Sequence, residues 1–394
     1  MNILFYIPIV SQEGGGLKQY STALLNILSD DLDNTYYILH NSNDPEVINI
    51  INCHDNLFLI SSHISKERRW ERCLFLLYKT YNTVERIRKG SNFKPIVWSY
   101  VERICKKYKI DLIHSPFQTV PYSKTKVIWT LHDVQELHFP EYFTSYQRAD
   151  RARGWVENIS LGSHIIVSYQ HIKDDILKYF ELKSEYVTVC LLDMQNLWID
   201  NVVDFKHDLS FNDSIPIKYF LYPANTWQHK NHRILVEAVN KLKTQGNDEI
   251  KFICTGHKTD YYYDEIVPLI DKYDLHNNFH FIGLVEESVL LALYKNARCV
   301  VIPTMYEAGS FPLMESLLLN IPVICSNVTS LPEAIQNEKF LFNPLDLEYL
   351  SNLLDMAWFD DNFTEECRNN SIQQSAKLKT KSALKIIKRV YKGL

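Results

Sequence analysis

The chain has 394 residues, 46% hydrophobic and 23% charged. Those are globular proportions, sufficient for two domains of similar size, and they exclude a disordered or fibrous chain. A formal net charge of −5 offers nucleic acid no bulk attraction, so none is expected as a partner.

The eight cysteines are dispersed, with none in a CxxC pair. They read as buried thiols in a reducing compartment rather than as disulfides or a zinc site. Residues 1–8 are apolar but lack a basic flank and a small-residue cleavage site, which suits a buried first strand better than a leader. No apolar run reaches the roughly 18 residues of a membrane span. A cytoplasmic location is expected.

In chain order, residues 3–7 predict a buried strand, glycines 14–16 a loop, and residues 17–28 a helix. Residues 36–39, 111–114, 127–131 and 164–168 predict further strands. Near residue 215 the pattern restarts, with strands expected at 219–222, 250–254, 279–282, 299–302 and 323–325. Helical periodicity fills intervals such as 233–244 and 288–297. Strands alternating with helices imply parallel sheets covered on both faces. Residues 193–216 are weakly periodic and rich in Asp and Asn, as a linker would be. The expected fold is α/β, with two doubly wound, Rossmann-like domains facing each other across a cleft that holds the active site.

Five places along this framework carry chemistry. Gly14, Gly15 and Gly16 are consecutive in a chain with only 11 glycines. At the carboxyl edge of a first strand, bare N–H groups can approach an anionic or sugar ligand. A tight turn is the plain alternative. The spacing is neither GxGxxG nor GxxxxGK[ST], so the dinucleotide and P-loop fingerprints are absent.

Residues 66–109 hold thirteen Lys and Arg against four Glu, interleaved with Trp70, Phe75, Tyr78, Tyr81, Phe93, Trp98 and Tyr100. The segment is either solvated helices with core aromatics or a surface meeting anionic lipid heads or a lipid-linked acceptor at the inner membrane face.

His132-Asp133 closes an apolar strand. A histidine there can hydrogen-bond a substrate or be an ordinary core residue. The set His132, Asp133, Glu136 and His138 matches no zinc spacing.

Further on, Tyr222 to His232 leads from a strand into a helix, with Lys230 near the helix start. A cation beside free N–H groups suits a diphosphate, and a solvated lysine is the alternative.

Finally, Glu307 follows the strand ending at Ile302, Pro312 is placed to begin a helix, and Glu315 is expected in its first turn. Glu315 can accept hydrogen bonds from vicinal hydroxyls such as those of ribose, and Glu307 from a sugar. An acidic first turn is also favourable with no ligand. The single DxD, Asp31-Leu32-Asp33, falls in the turn after the first helix and reads as chance.

Residues 66–109 aside, the other four clusters together resemble the GT4 family of retaining glycosyltransferases with the GT-B fold, over nearly the whole chain. The strongest correspondence is E-x7-E, Glu307 to Glu315, followed by Ile321-Pro322-Val323-Ile324 and Ser330-Leu331-Pro332-Glu333. Phe281-Ile282-Gly283 and Ile253-Cys254-Thr255-Gly256 agree as well.

The resemblance implies an acceptor-side domain at 1–200, completed by a crossover helix at about 378–394, and a nucleotide-sugar domain at 215–377. It implies catalytic roles for His132 at the donor sugar, Lys230 at the phosphates and Glu307 at the sugar. Gly15, Gly16, Asn225, His229, Gly309, Ser310, Phe311 and Glu315 are implied to bind the donor, with Glu315 on the ribose. The nucleotide sugar would be a co-substrate, with no cofactor and no metal required.

Two departures stand out. Many members carry an arginine where this chain has Asn225. The common loop E-G-F-G-L-P reads Glu307-Ala308-Gly309-Ser310-Phe311-Pro312. The string from Pro223 to His232 is similar to a bacterial subgroup that includes mannosyltransferases of surface polysaccharide synthesis. That implies GDP-mannose, with a UDP-sugar next, and a glycan or lipid-linked glycan acceptor. The departures keep one alternative in view, a non-catalytic homologue that partners another transferase.

Overall fold

The structure is a computed structural model and describes residues 1–7, 15–40, 44–61, 81, 84, 88, 99–192, 216–379 and 382–394. It divides into two compact units. One comprises Met1–Val134, Phe143–Leu192 and Lys381–Leu394, and the other Gln135–Tyr142 and Asp193–Thr380.

The first unit holds β1 (Asn2–Ile7), β2 (Thr35–His40), β3 (Leu57–Ser61), β4 (Leu112–Ser115), β5 (Lys126–Thr130), β6 (His164–Val167) and β7 (Val187–Val189). They form one sheet in the order β3-β2-β1-β4-β5-β6-β7, with every pairing parallel. Parallel neighbours need a crossover, and here helices supply most of them.

Alternate residues of β1 feed different cores. Ile3, Phe5 and Ile7 pack with Leu24 and Leu28 of the Gly15–Ser29 helix, while Leu4 packs with Ile104 and Val127. The Ala383–Gly393 helix adds Ala383, Ile387, Val390 and Tyr391 to the first of these cores, an apolar stripe at helical spacing. Polar contacts hold it as well. His114 Nδ1 lies 2.7 Å from Tyr391 Oη, and Lys388 lies 2.9 Å from Asp31. The Asp31-Leu32-Asp33 carboxylates are therefore structural. Asp31 also accepts from Tyr36 at 2.7 Å and Asn34 at 2.6 Å, and Lys388 pairs with Asp33.

The second unit holds β8 (Phe220–Pro223), β9 (Phe252–Thr255), β10 (Phe279–Gly283), β11 (Cys299–Ile302), β12 (Val323–Ser326) and β13 (Leu341–Phe342). Their order is β10-β9-β8-β11-β12-β13, again all parallel. β9, β11 and β12 are buried along their whole length, as strands covered on both faces must be. In each sheet the order reverses beside the first strand, at β1/β4 and at β8/β11. Such switch points leave a crevice at the strand carboxyl ends.

Three strands were not expected from the sequence. β7 and β13 are only three and two residues long. β3 is an edge strand whose Phe58 and Leu59 are largely exposed, so its apolar pattern is blurred. Gly15 and Gly16 open the first helix instead of lying in a loop. Their N–H groups remain among those a helix start leaves without intrahelical partners. Most of the basic, aromatic segment lies outside the described residues. Its described end forms the Tyr100–Tyr108 helix, capped by Ser99 Oγ accepting from Glu102 N at 3.0 Å.

Candidate active site

In the second unit the chain leaves β8, makes the short turn Gln228–Lys230 and enters the His232–Thr244 helix. Asn231 joins turn to helix at φ 56°, a left-handed conformation that asparagine tolerates. Its Nδ2 donates to the carbonyls of Pro303 and Pro344, both at 3.0 Å. The carbonyl of His229 accepts from Met305 N at 2.7 Å and from Thr304 Oγ1 at 3.0 Å. The turn after β8 is thereby stitched to the loop after β11.

That stitching brings Lys230 Nζ to 2.6 Å from Glu307 Oε1, with both side chains mostly buried. Tyr222 Oη donates to the Lys230 carbonyl at 2.9 Å. Glu307 is fixed from the other side by Thr329 Oγ1, which accepts from its N–H at 3.1 Å, and Ser330 Oγ, which donates to its carbonyl at 3.4 Å.

Ser310 caps the Phe311–Leu318 helix, its Oγ accepting from Leu313 N at 3.4 Å, and Pro312 lies in the first turn. Glu315 is the fifth residue of this helix, in its second turn and not its first as the sequence suggested. It is buried, and Tyr294 Oη donates to its Oε2 at 2.6 Å. Gly309 and Phe311 are half-buried on either side of the cap.

Asn225 has a role the sequence did not suggest. Its Oδ1 accepts from His257 N at 2.7 Å. The next residue continues the tie. Thr226 N donates to His257 O at 3.0 Å, and Thr259 Oγ1 donates to Thr226 O at 2.6 Å. Gly256 permits this approach. It has φ +102°, and a Cβ there would lie 2.8 Å from the Ala224 carbonyl oxygen. Asn225 thus clamps the loop after β8 to the loop after β9.

Three basic residues occur at this turn, and burial sorts them. His229 is pushed down to about 3 by burial and by the neighbouring Lys230 charge. His232 is pushed down to about 3 by burial, Lys230 and His229. Its ring packs between Tyr222 and Phe281, at centroid distances of 4.6 and 5.8 Å. Both histidines are therefore neutral near pH 7, and Lys230 carries the positive charge. Burial and the Glu307 carboxylate raise the Tyr222 hydroxyl, which stays protonated as a donor.

Residues Gln135–Tyr142 belong to this unit although their chain neighbours belong to the other. They lay an aromatic layer on the loops just described. His138 and Phe139 meet Tyr306 at 5.4 and 6.2 Å, and Tyr142 meets His229 at 6.5 Å. The sequence signal was the run of aromatic residues after His132.

In the first unit His132 follows β5. Its Nε2 lies 2.9 Å from the Pro116 carbonyl, and Tyr20 meets its ring edge-on at 4.6 Å. Tyr20 belongs to the helix that Gly15 and Gly16 open, so that helix and the residues after β5 meet at this imidazole. Burial lowers the His132 pKa. Asp133 is paired with Arg151, which also lies over the rings of Phe143 at 5.2 Å and Trp155 at 5.6 Å. Among the described residues no group of three or more His, Cys, Asp or Glu could hold a metal ion, and no helix is long and apolar enough to cross a membrane.

Residues 214–374 match the family described as "Glycosyl transferases group 1". That segment of the chain is similar to the group 1 glycosyltransferases. Over 275 residues it is 23% identical to O-antigen chain mannosyltransferase B of Escherichia coli, a match covering 68% of this chain and 70% of that protein. Over 283 residues it is 25% identical to O-antigen chain mannosyltransferase RfbU of Salmonella typhimurium, covering 70% and 75%. The fold is similar to that of Anabaena Alr3699/HepE in complex with UDP-glucose, with a TM-score of 0.67, 15% identity and full coverage of both chains. The chain thus has the two Rossmann-like domains of the GT-B fold.

Proposed function

We propose that this glycosyltransferase moves mannose from GDP-mannose to a glycan or lipid-linked glycan of a bacterial surface polysaccharide, with retention at the anomeric carbon. The observation that supports it most is the Lys230–Glu307 pair at the switch point of the second sheet. The names of the two relatives favour mannose. A UDP-sugar is the next donor to test.

The charges of the site suggest how transfer proceeds. The bond from the anomeric carbon to the diphosphate oxygen breaks heterolytically, and negative charge collects on the leaving diphosphate. Lys230 and the N–H groups at the start of the His232–Thr244 helix stabilise that charge in a largely dry setting. Glu307 neutralises Lys230 in the pair. When a diphosphate takes the lysine, Glu307 is released to accept hydrogen bonds from the sugar. The acceptor hydroxyl attacks on the face the diphosphate leaves, and its proton passes to a phosphate oxygen. Glu315, already held by Tyr294, is oriented for ribose hydroxyls. Lys230 and helix N–H groups supply the charge that a divalent ion supplies elsewhere, so no metal is required.

The basic, aromatic residues 66–109 suit a lipid-linked acceptor at the inner membrane face. The test is calorimetry against GDP-, UDP-, ADP- and CDP-sugars, followed by turnover with the donor that binds. Selective binding of GDP-mannose, lost in Lys230→Ala, is expected. Binding of none by folded protein would sink the enzyme reading.

A further inference from the structure

The loop that follows β4 does more than connect strands. It builds a frame around His132 out of groups that no motif singled out. The Pro116 carbonyl lies 2.9 Å from His132 Nε2. A carbonyl only accepts, so the facing ring nitrogen must carry the hydrogen. With its amide oxygen turned inward, Gln118 accepts from two consecutive main-chain N–H groups, His132 at 3.2 Å and Asp133 at 3.1 Å. Gln118 is itself held. Its carbonyl accepts from Asn158 Nδ2 at 2.8 Å, and Asn158 Oδ1 accepts from Val120 N at 3.0 Å. Asn158 is buried. Ser115 Oγ closes the loop by donating to the Thr119 carbonyl at 2.8 Å. The Asp133 carboxylate is turned to Arg151.

We propose that Gln118 is a positioning residue for His132: with the Pro116 carbonyl it fixes the neutral imidazole as the Nε2–H tautomer and presents Nδ1 as a hydrogen-bond acceptor to a hydroxyl of the transferred sugar. An Nδ1–H tautomer would meet that hydroxyl as a donor and lose the Pro116 bond. The hydroxyl-binding half rests on the function proposed above; the tautomer half does not.

The test begins without any substrate. Protein labelled with 15N in its histidine rings is compared with a His132→Asn variant to assign the His132 signals. Near pH 7.5 the wild type is expected to show an unprotonated Nδ1 and a protonated Nε2. Gln118→Leu should blur that signature into a tautomer mixture, and Gln118→Glu, which keeps an acceptor oxygen, should restore it. A protonated Nδ1 in the wild type, or an unchanged signature in Gln118→Leu, would overturn the proposal. Should Gln118→Leu not fold, Gln118→Asn withdraws the oxygen by one methylene and carries the same test.

Turnover with GDP-mannose then tests the second half. Gln118→Leu should lower kcat about 10- to 100-fold with little change in KM, as expected when a reacting group is misplaced. Gln118→Glu should recover most of the loss, and Gln118→Leu should add little in a His132→Ala background. Equal losses on both backgrounds would refute action through His132. A wild type with the expected tautomer but no turnover on any nucleotide sugar would instead sink the function proposed above and leave the positioning intact.

Discussion

Lys230 Nζ and Glu307 Oε1 lie 2.6 Å apart although 77 residues separate them in the chain. Each follows one of the two strands that meet at the switch point of the second sheet, β8 and β11. The pair is self-neutral and largely removed from water.

Removing the lysine should therefore have two separable effects. Lys230→Ala is expected to lower kcat with GDP-mannose by about 100- to 1000-fold, the usual scale for deleting an electrostatic stabiliser of a transition state. It should also destabilise the fold by leaving Glu307 buried and unpaired, and Lys230→Ala/Glu307→Gln should regain much of that stability without regaining activity. Thermal melts beside kinetics check this. Equal melting temperatures in the single and double variants would show that the pair does not couple.

Glu315 is oriented by Tyr294, so the two should act together on nucleotide affinity. Glu315→Ala is expected to weaken GDP binding by about 1–2 kcal/mol, and Tyr294→Phe by a smaller amount. Calorimetry with GDP alone reads both. Unchanged affinity in Glu315→Ala would place the ribose contact elsewhere.

Acid should unfold the protein partly through its buried histidines. His114 is pushed down to about 3 by burial, and His232 to about 3 by burial, Lys230 and His229, from an ordinary value of 6.5. In the unfolded chain both take up protons below that ordinary value; in the folded chain they do not until far lower pH. Their stabilising contribution is complete above pH 6.5 and is lost progressively as the pH falls towards 3. Each contributes a slope of up to about 1.4 kcal/mol per pH unit in that window. His232→Phe, which keeps an aromatic ring between Tyr222 and Phe281, should flatten the fall in melting temperature between pH 7 and 5. An unchanged slope would assign the acid sensitivity to other groups.

Chelation gives a direct check on the charge argument. If Lys230 and the helix N–H groups carry the leaving diphosphate, EDTA should leave turnover of GDP-mannose unchanged, and magnesium should not restore a Lys230→Ala variant. A large loss on chelation would require a metal in the transfer step.

The sequence by itself determined the alternation of strands and helices and the restart near residue 215, and it singled out the candidate site residues. Those features are local, since a buried parallel strand is an apolar run and a helix start is marked by its flanking residues. Glu307, Glu315, Lys230 and His132 were legible because each sits just beyond a strand or close to a helix start. Tertiary structure decided how they are partnered. Nothing local in the chain says that Lys230 meets Glu307, that Tyr294 holds Glu315, or that Asn225 binds a backbone amide. Gln118 and Asn158 carry no motif at all, and the run from Gln135 to Tyr142 changes unit without any break in composition. Hydrogen-bond partners distant in sequence exist only once parallel strands bring their carboxyl ends to one edge, and at that edge this chain places its charges.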